Sequence, residues 1–93
     1  MYYSDMELFN RKLPPFIKRY RLKRKLTQSG LSAVAKIDYK HIQVLESFRF
    51  SKDPRISTIR KLSRALNVPT HDLIERCFSE EDPSDENELP KVV

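Results

Sequence analysis

Apolar residues recur along most of the chain at the three- and four-residue spacing of one face of an α-helix. The alternation of polar and apolar residues that is typical of paired strands is missing, and glycine occurs once, at Gly30. The pattern predicts an all-α fold, a compact five-helix bundle with short loops. The apolar positions that we expect to face its core are Leu13, Ile17, Tyr20, Leu31, Val34, Ala35, Ile42, Leu45, Ile59, Leu62, Ala65, Leu66, Leu73, Ile74, Cys77 and Phe78.

Residues that favour helix ends separate the five apolar segments. Pro14 and Pro15 suit the first turn of a helix, so we expect the first helix to begin there and to end near Lys25. Asn67 tolerates the left-handed backbone conformation and is predicted to end the fourth helix. Polar residues that favour helix starts stand before the other four helices, namely Thr27, Asp38, Ser57 and Thr70.

Charge is divided unevenly along the chain. The whole sequence has a net charge of +5, but residues 79–93 hold six acidic residues against Lys91. The first 78 residues therefore carry 17 basic and 7 acidic groups, and residues 11–25 alone hold eight basic residues and no acid. A surplus of this size favours a polyanionic partner, although a solvated helix face is the alternative for residues 11–25.

These patterns divide the chain into three parts. We expect an N-terminal arm over residues 1–14, a helical domain over residues 15–78 and an acidic, disordered tail over residues 79–93. The tail is either a solvating end without a further role or a regulatory arm that folds over the basic face and competes with an anionic partner.

Several classes of protein are excluded by what the sequence lacks. No apolar run approaches the roughly 18 residues of a membrane span, and the N-terminus lacks the layout of a signal peptide, so we expect a cytoplasmic protein without a membrane partner. Cys77 has no second cysteine to pair with, and with His41 and His71 it matches no zinc spacing. No catalytic motif is present, so we expect neither an enzyme nor a cofactor nor a metal site.

The second and third predicted helices have the spacing of a helix-turn-helix, in which the second helix can enter the major groove of DNA. The run LTQSGLSAVAKIDYKHIQVLE over residues 26–46 resembles the helix-turn-helix of Cro and phage repressors, the XRE family. DPRISTIRKLSRALNVPTHDLIE over residues 53–75 is similar to the fourth and fifth helices of that family. The resemblance extends over about residues 15–76 and implies a lambda-repressor-like bundle.

The resemblance also implies roles for individual residues. It implies that base edges are read by Tyr39, Lys40, Gln43 and Val44. It implies that phosphates are contacted by Gln28, Lys36, His41, Arg49, Lys52 and Arg55. It further pairs Arg21 of the first helix with Glu46 at the end of the third as a structural ion pair. The alternative for the outward residues of the third helix is that they are solvated side chains only.

Three positions depart from the family pattern. Lys25, Lys36 and Phe48 stand where the family commonly has glycine. Because residues other than glycine are strained at positive φ, we expect one or more of these turns to differ from the family's form.

Taken together, these features predict a sequence-specific DNA-binding regulator, a repressor that acts as a homodimer on a two-fold-related operator. Leu73, Ile74 and Phe78 are candidates for the dimer interface, and ordinary core is the alternative. Two other functions stay open. The chain could be an antitoxin that binds a protein partner through the fifth helix or the acidic tail, or an interaction module that has lost DNA binding.

Overall fold

Five helices form the part of the protein that the computed structural model describes, residues 4–47 and 53–79. No strand occurs within these two ranges, so the predicted all-α, five-helix fold is confirmed. The helices are α1 (Asp5–Lys23), α2 (Gln28–Ala35), α3 (Tyr39–Leu45), α4 (Ile56–Leu66) and α5 (Thr70–Phe78). Helix α1 packs against α3, α4 and α5, while α2 packs against α3 and α4.

The first helix begins well before the two prolines, and the prediction that it starts at Pro14 is wrong. Its N-terminus is a capping box: the Ser4 hydroxyl accepts from the backbone N–H of Glu7, and the Glu7 carboxylate accepts from the backbone N–H of Ser4. Residues 5–14 of the expected arm are therefore the N-terminal half of α1.

Burial explains why the helix runs through its prolines. A proline inside a helix lacks the N–H of one backbone hydrogen bond and costs about 3 kcal/mol. Phe9 and Leu13, which precede the prolines, are buried, and the ring of Phe9 lies 4.9 Å from the ring of Phe78 in α5. Burying a large apolar side chain contributes about 1.5–3 kcal/mol, so Phe9 and Leu13 together offset much of the cost of the two prolines.

The core draws on all five helices and confirms most of the predicted inward positions. Two expectations differ: Val34 is exposed because the eight-residue α2 turns only Leu31 and Ala35 inward, and Phe78 at the end of α5 is 37% exposed. The buried apolar residues are Phe9, Leu13, Phe16, Ile17, Tyr20, Leu31, Ala35, Ile37, Ile42, Leu45, Ile59, Leu62, Ala65, Leu66, Val68, Leu73 and Cys77.

The helix-turn-helix has the two caps that the sequence predicts. The Thr27 hydroxyl accepts from the backbone N–H of Gly30 at 2.9 Å, and the Asp38 carboxylate accepts from the backbone N–H of Lys40 at 3.1 Å. These bonds satisfy donors that the first turns of α2 and α3 would otherwise leave without a partner.

The starts of α4 and α5 were predicted less well. Arg55 and Pro69 stand at the two N-cap positions, and neither side chain makes a capping hydrogen bond. The Thr70 hydroxyl instead lies 2.7 Å from the buried hydroxyl of Ser63 and so links α5 to α4. Asn67 ends α4 at φ 61°, as predicted.

Two lysines occupy the left-handed backbone conformation that favours glycine. Lys25, after α1, and Lys36, between α2 and α3, both have φ 59°. These two turns therefore keep the left-handed form that glycine would adopt, so an altered turn among the three positions stays a prediction for Phe48 alone. Phe48 lies outside the described residues.

The left-handed turn before α3 predicts that Lys36→Gly raises stability. Glycine removes a left-handed penalty of roughly 1–2 kcal/mol and costs about 0.4–1 kcal/mol through the freedom of the unfolded chain, so we expect a gain of about 0.5–1 kcal/mol in urea unfolding. Lys61→Gly is the matched control, because Lys61 is also an exposed lysine but lies inside α4. It should lose about 1 kcal/mol. Equal losses in both variants would contradict a strained Lys36.

Candidate nucleic-acid interface

Helix α3 has a buried side and an exposed side. Ile42 and Leu45 are buried, and Ile37 just before the helix is buried with them. On the other side Tyr39 and Val44 are 45% and 47% exposed, which leaves their rings and methyl groups open to solvent. The exposed residues of α3 are Tyr39, Lys40, His41, Gln43 and Val44. The helix is thus anchored along one side and free to meet a partner along the other.

The exposed side carries side chains of the kinds that can hydrogen-bond or pack against base edges. Lys40 offers an ammonium, Gln43 an amide with both donors and an acceptor, and Val44 an apolar contact. The amide nitrogen of Gln43 donates to the hydroxyl of Tyr39 at 3.3 Å, one helical turn away. All four residues that sequence reasoning assigned to base reading are therefore exposed on one short helix.

A buried ion pair holds the C-terminal end of α3. The Arg21 guanidinium donates through Nε to Glu46 Oε2 at 2.6 Å and through Nη2 to Oε1 at 3.0 Å. The two side chains are only 9% and 4% exposed. Arg21 also donates through Nη1 to the carbonyl of Leu26 at 2.8 Å. One side chain of α1 therefore ties the turn before α2 to the residue that ends α3.

Gln28 joins the same network, which sequence reasoning did not foresee. Its amide nitrogen donates to Glu46 Oε1 at 3.2 Å from the first turn of α2. Glu46 thus accepts from α1 and from α2 at once. A primary amide has two N–H groups, so one donor of Gln28 is left for another acceptor at the start of α2.

The acidic residues near the exposed side of α3 are already engaged. Between Gln28 and Ser47 the only acids are Asp38 and Glu46. Asp38 caps α3, and Glu46 is held by Arg21 and Gln28. Lys36 and Lys40 are both exposed, and the carboxylate between them in sequence, that of Asp38, is bonded to the first turn of α3.

The structure describes three of the remaining predicted phosphate contacts. Lys36 lies in the turn before it, His41 lies on its exposed side, and Arg55 is exposed immediately before α4. Arg49 and Lys52 lie outside the described residues. An unpredicted contact is the amide nitrogen of Asn10, which donates to the Asp53 carboxylate at 2.7 Å and so ties the chain before α4 to α1.

One of the three candidate dimer residues is unavailable to a partner. Leu73 is 0% exposed and belongs to the core, because α5 turns it between α1 and α4; its assignment to an interface is wrong. Ile74 is half-buried against the core. Phe78 is partly exposed while its ring contacts Phe9.

Cys77 is buried in the core, and this burial suppresses the reactivity of its thiol. Burial raises the pKa of its thiol to about 12, and the positive charge of Lys12 opposes this rise only in part. The thiol is therefore protonated at neutral pH and is a packing residue rather than a nucleophile.

Neither a membrane span nor a metal cluster occurs in the part of the chain that the structure describes. No helix there combines the length and the apolar character needed to cross a bilayer. No three acidic, histidine or cysteine side chains are brought together there in a way that could hold a metal ion.

A comparison with known families places the helix-turn-helix in a described family. Residues 17–73 match the family model HTH_3, described as helix-turn-helix. The matched segment runs from the middle of α1 into α5 and so contains the exposed side of α3 and the ion pair that anchors it. No curated protein matches the chain.

The buried ion pair predicts a large cost for Arg21→Ala. Removing the guanidinium leaves the Glu46 carboxylate buried without its main partner, so we expect a loss of about 3 kcal/mol in urea unfolding. Arg76→Ala is the control, because the Arg76–Asp72 pair spans 3.1 Å within α5 and is more exposed, at 25% and 27%, than the Arg21–Glu46 pair. It should cost less than about 1 kcal/mol. A loss below about 0.5 kcal/mol for Arg21→Ala would reject the structural role of the pair.

The buried thiol predicts a second measurable property. The native chain at pH 8 should react very slowly with a thiol reagent such as dithiobis(nitrobenzoic acid), because the Cys77 thiol is both enclosed and protonated. In denaturant the same thiol should react rapidly. Rapid reaction of the native chain would contradict the burial of Cys77.

Proposed function

The chain belongs to the XRE-type helix-turn-helix family, and we propose that it is a sequence-specific repressor of transcription that places α3 in the major groove of an operator. The family is one of DNA-binding regulators. The observation that carries the proposal for this chain is the exposed side of α3, which presents polar groups to solvent while its opposite side is buried.

Base reading is proposed for the exposed residues of α3. Lys40 donates to O6 and N7 of a guanine, and Gln43 pairs with N6 and N7 of an adenine. Val44 packs against a thymine methyl, and Tyr39 reaches a phosphate or a thymine methyl. The exposure of all four side chains supports these roles.

Phosphate binding is proposed for residues around this helix. Gln28 lies at the N-terminus of α2, where helix dipole and backbone N–H groups favour an anion, and its second N–H serves a phosphate while the first stays on Glu46. Lys36, His41 and Arg55 are exposed, which supports the same role for them. Arg49 and Lys52 are assigned to phosphates from the sequence alone.

A homodimer on a two-fold-related operator completes the proposal, with Ile74 and Phe78 in the interface. Helix α5 packs against α1 and α4, whereas α3 packs against α1 and α2, which supports an interface that leaves α3 uncovered. A bound dimer represses by occupying the operator in the cytoplasm. Concentration-dependent sedimentation tests this part, and a strict monomer at high concentration removes it.

The experiment that tests the function is selection of duplexes bound by the full chain from a random pool, followed by binding of variants to the selected sequence. Lys40→Ala should lower discrimination at one or two base pairs by about 1–3 kcal/mol. Arg55→Ala should weaken binding to all sequences alike, because a phosphate contact carries no base information. Equal losses on selected and random duplex in both variants would contradict the assignment of readers.

Salt dependence separates the proposal from a protein-interaction module with the same fold. The association constant for DNA should fall as the salt concentration rises. A plot of its logarithm against the logarithm of the salt concentration should have a slope of about −0.9 per phosphate neutralised. A module that has lost DNA binding gives no shift of a random duplex even at low salt. That outcome, together with no enriched sequence in the selection, would reject the proposed function.

A further inference from the structure

Tyr39 and Gln43 are joined in the free protein by a hydrogen bond on the exposed side of α3. The two residues are four positions apart, and helical side chains lean toward the N-terminus, so the Gln43 amide reaches back over the first turn to the Tyr39 ring. The amide nitrogen donates to the phenol oxygen at 3.3 Å. Both side chains are exposed, which leaves their remaining donors and acceptors open to a partner.

We propose that Tyr39 is a positioning residue that sets the orientation of the Gln43 amide and so makes α3 selective for adenine at one base pair of the operator. The inference rests on the proposed function and deepens it, because it names the base that Gln43 reads and the residue that orients the Gln43 amide.

The hydrogen bond to Tyr39 leaves the Gln43 amide enough groups to read a base. A primary amide has two N–H donors and one carbonyl oxygen, and the bond to Tyr39 uses one N–H. The second N–H and the oxygen remain, and these are the groups that adenine requires at N7 and N6. The contact with Tyr39 therefore orients the amide without using either group needed to read the base.

The hydroxyl of Tyr39 can select one of the two orientations of the Gln43 amide. A phenol can donate or accept, so by itself it would tolerate either orientation of the amide. When its own proton is donated to a phosphate, the oxygen can only accept, and only the amide nitrogen can then face it. A chain from phosphate through Tyr39 to Gln43 thus excludes the reversed amide, which would present two donors to the base and no acceptor for adenine N6.

The hydrogen bond also orders the Gln43 side chain before DNA binds. A free glutamine at the surface samples many rotamers, and binding must restrict them. The bond to Tyr39 restricts the Gln43 side chain before DNA arrives, so less freedom is lost when the base is engaged.

The test measures adenine discrimination by the full chain on its selected operator. Gln43→Ala first identifies the base pair that Gln43 reads, as the position where binding no longer distinguishes A·T from the other pairs. Tyr39→Phe, which keeps the ring and loses the hydroxyl, should lower discrimination at that same position about 5- to 10-fold. In the Gln43→Ala background Tyr39→Phe should change that position little, since a coupled pair is not additive.

A readout without DNA tests the hydrogen bond itself. In the free protein Tyr39→Phe should shift the side-chain amide resonances of Gln43 and leave those of Gln28 unchanged, because Gln28 is bonded to Glu46. Lys40→Ala is the matched control, since it alters the same helix without touching the pair and should move neither amide. Thermal unfolding should show that Tyr39→Phe remains folded.

The outcomes separate this inference from the function on which it rests. Retained adenine discrimination in Tyr39→Phe, or the same loss with and without Gln43, would overturn the positioning role while the proposed function stands. A Gln43→Ala variant that alters no position would do the same. A wild-type chain that selects no sequence would overturn both.

Discussion

The orientation of α3 depends on the buried pair of Arg21 and Glu46. Helix α3 has only seven residues, and a helix of that length is not stable by itself in water. Its N-terminus is capped by Asp38 and its inner side is packed through Ile42 and Leu45, but its C-terminal end is held by the two-bond contact of a guanidinium with a carboxylate. Burying two charges is costly, so the pair serves geometry more than total stability.

This arrangement separates the charges inside the domain from those that face a partner. Glu46 accepts from Arg21 and Gln28 and its side chain is 4% exposed, so its carboxylate is bonded inside the domain. Lys36 and Lys40 keep their charge available to solvent. A phosphate backbone that approaches α3 therefore meets exposed cations, while the charge of Glu46 is compensated inside the domain by Arg21.

Helix-capping residues and the helical spacing of apolar residues predict much of the fold. Thr27, Asp38 and Asn67 act at helix ends as their side chains predict. The helical period identified most of the core but missed Phe9, Phe16, Ile37 and Val68. The start of α1 was missed because the burial of Phe9 and Leu13 overrides the local preference of the prolines, although Ser4 and Glu7 carried a capping-box signal. Contacts such as Gln28 with Glu46 depend on rotamers and on how helices pack, which spacing along the chain does not determine. The Arg21–Glu46 pair was expected only through the family resemblance, since 25 residues separate its partners.

Methylation protection of an operator selected by the full chain tests most directly whether α3 enters the major groove, because dimethyl sulfate attacks guanine N7 there. The account predicts protected guanines in two half-sites about one helical turn, roughly 34 Å, apart. Protection of the sugar–phosphate backbone from hydroxyl radicals, with every guanine N7 still reactive, would contradict it.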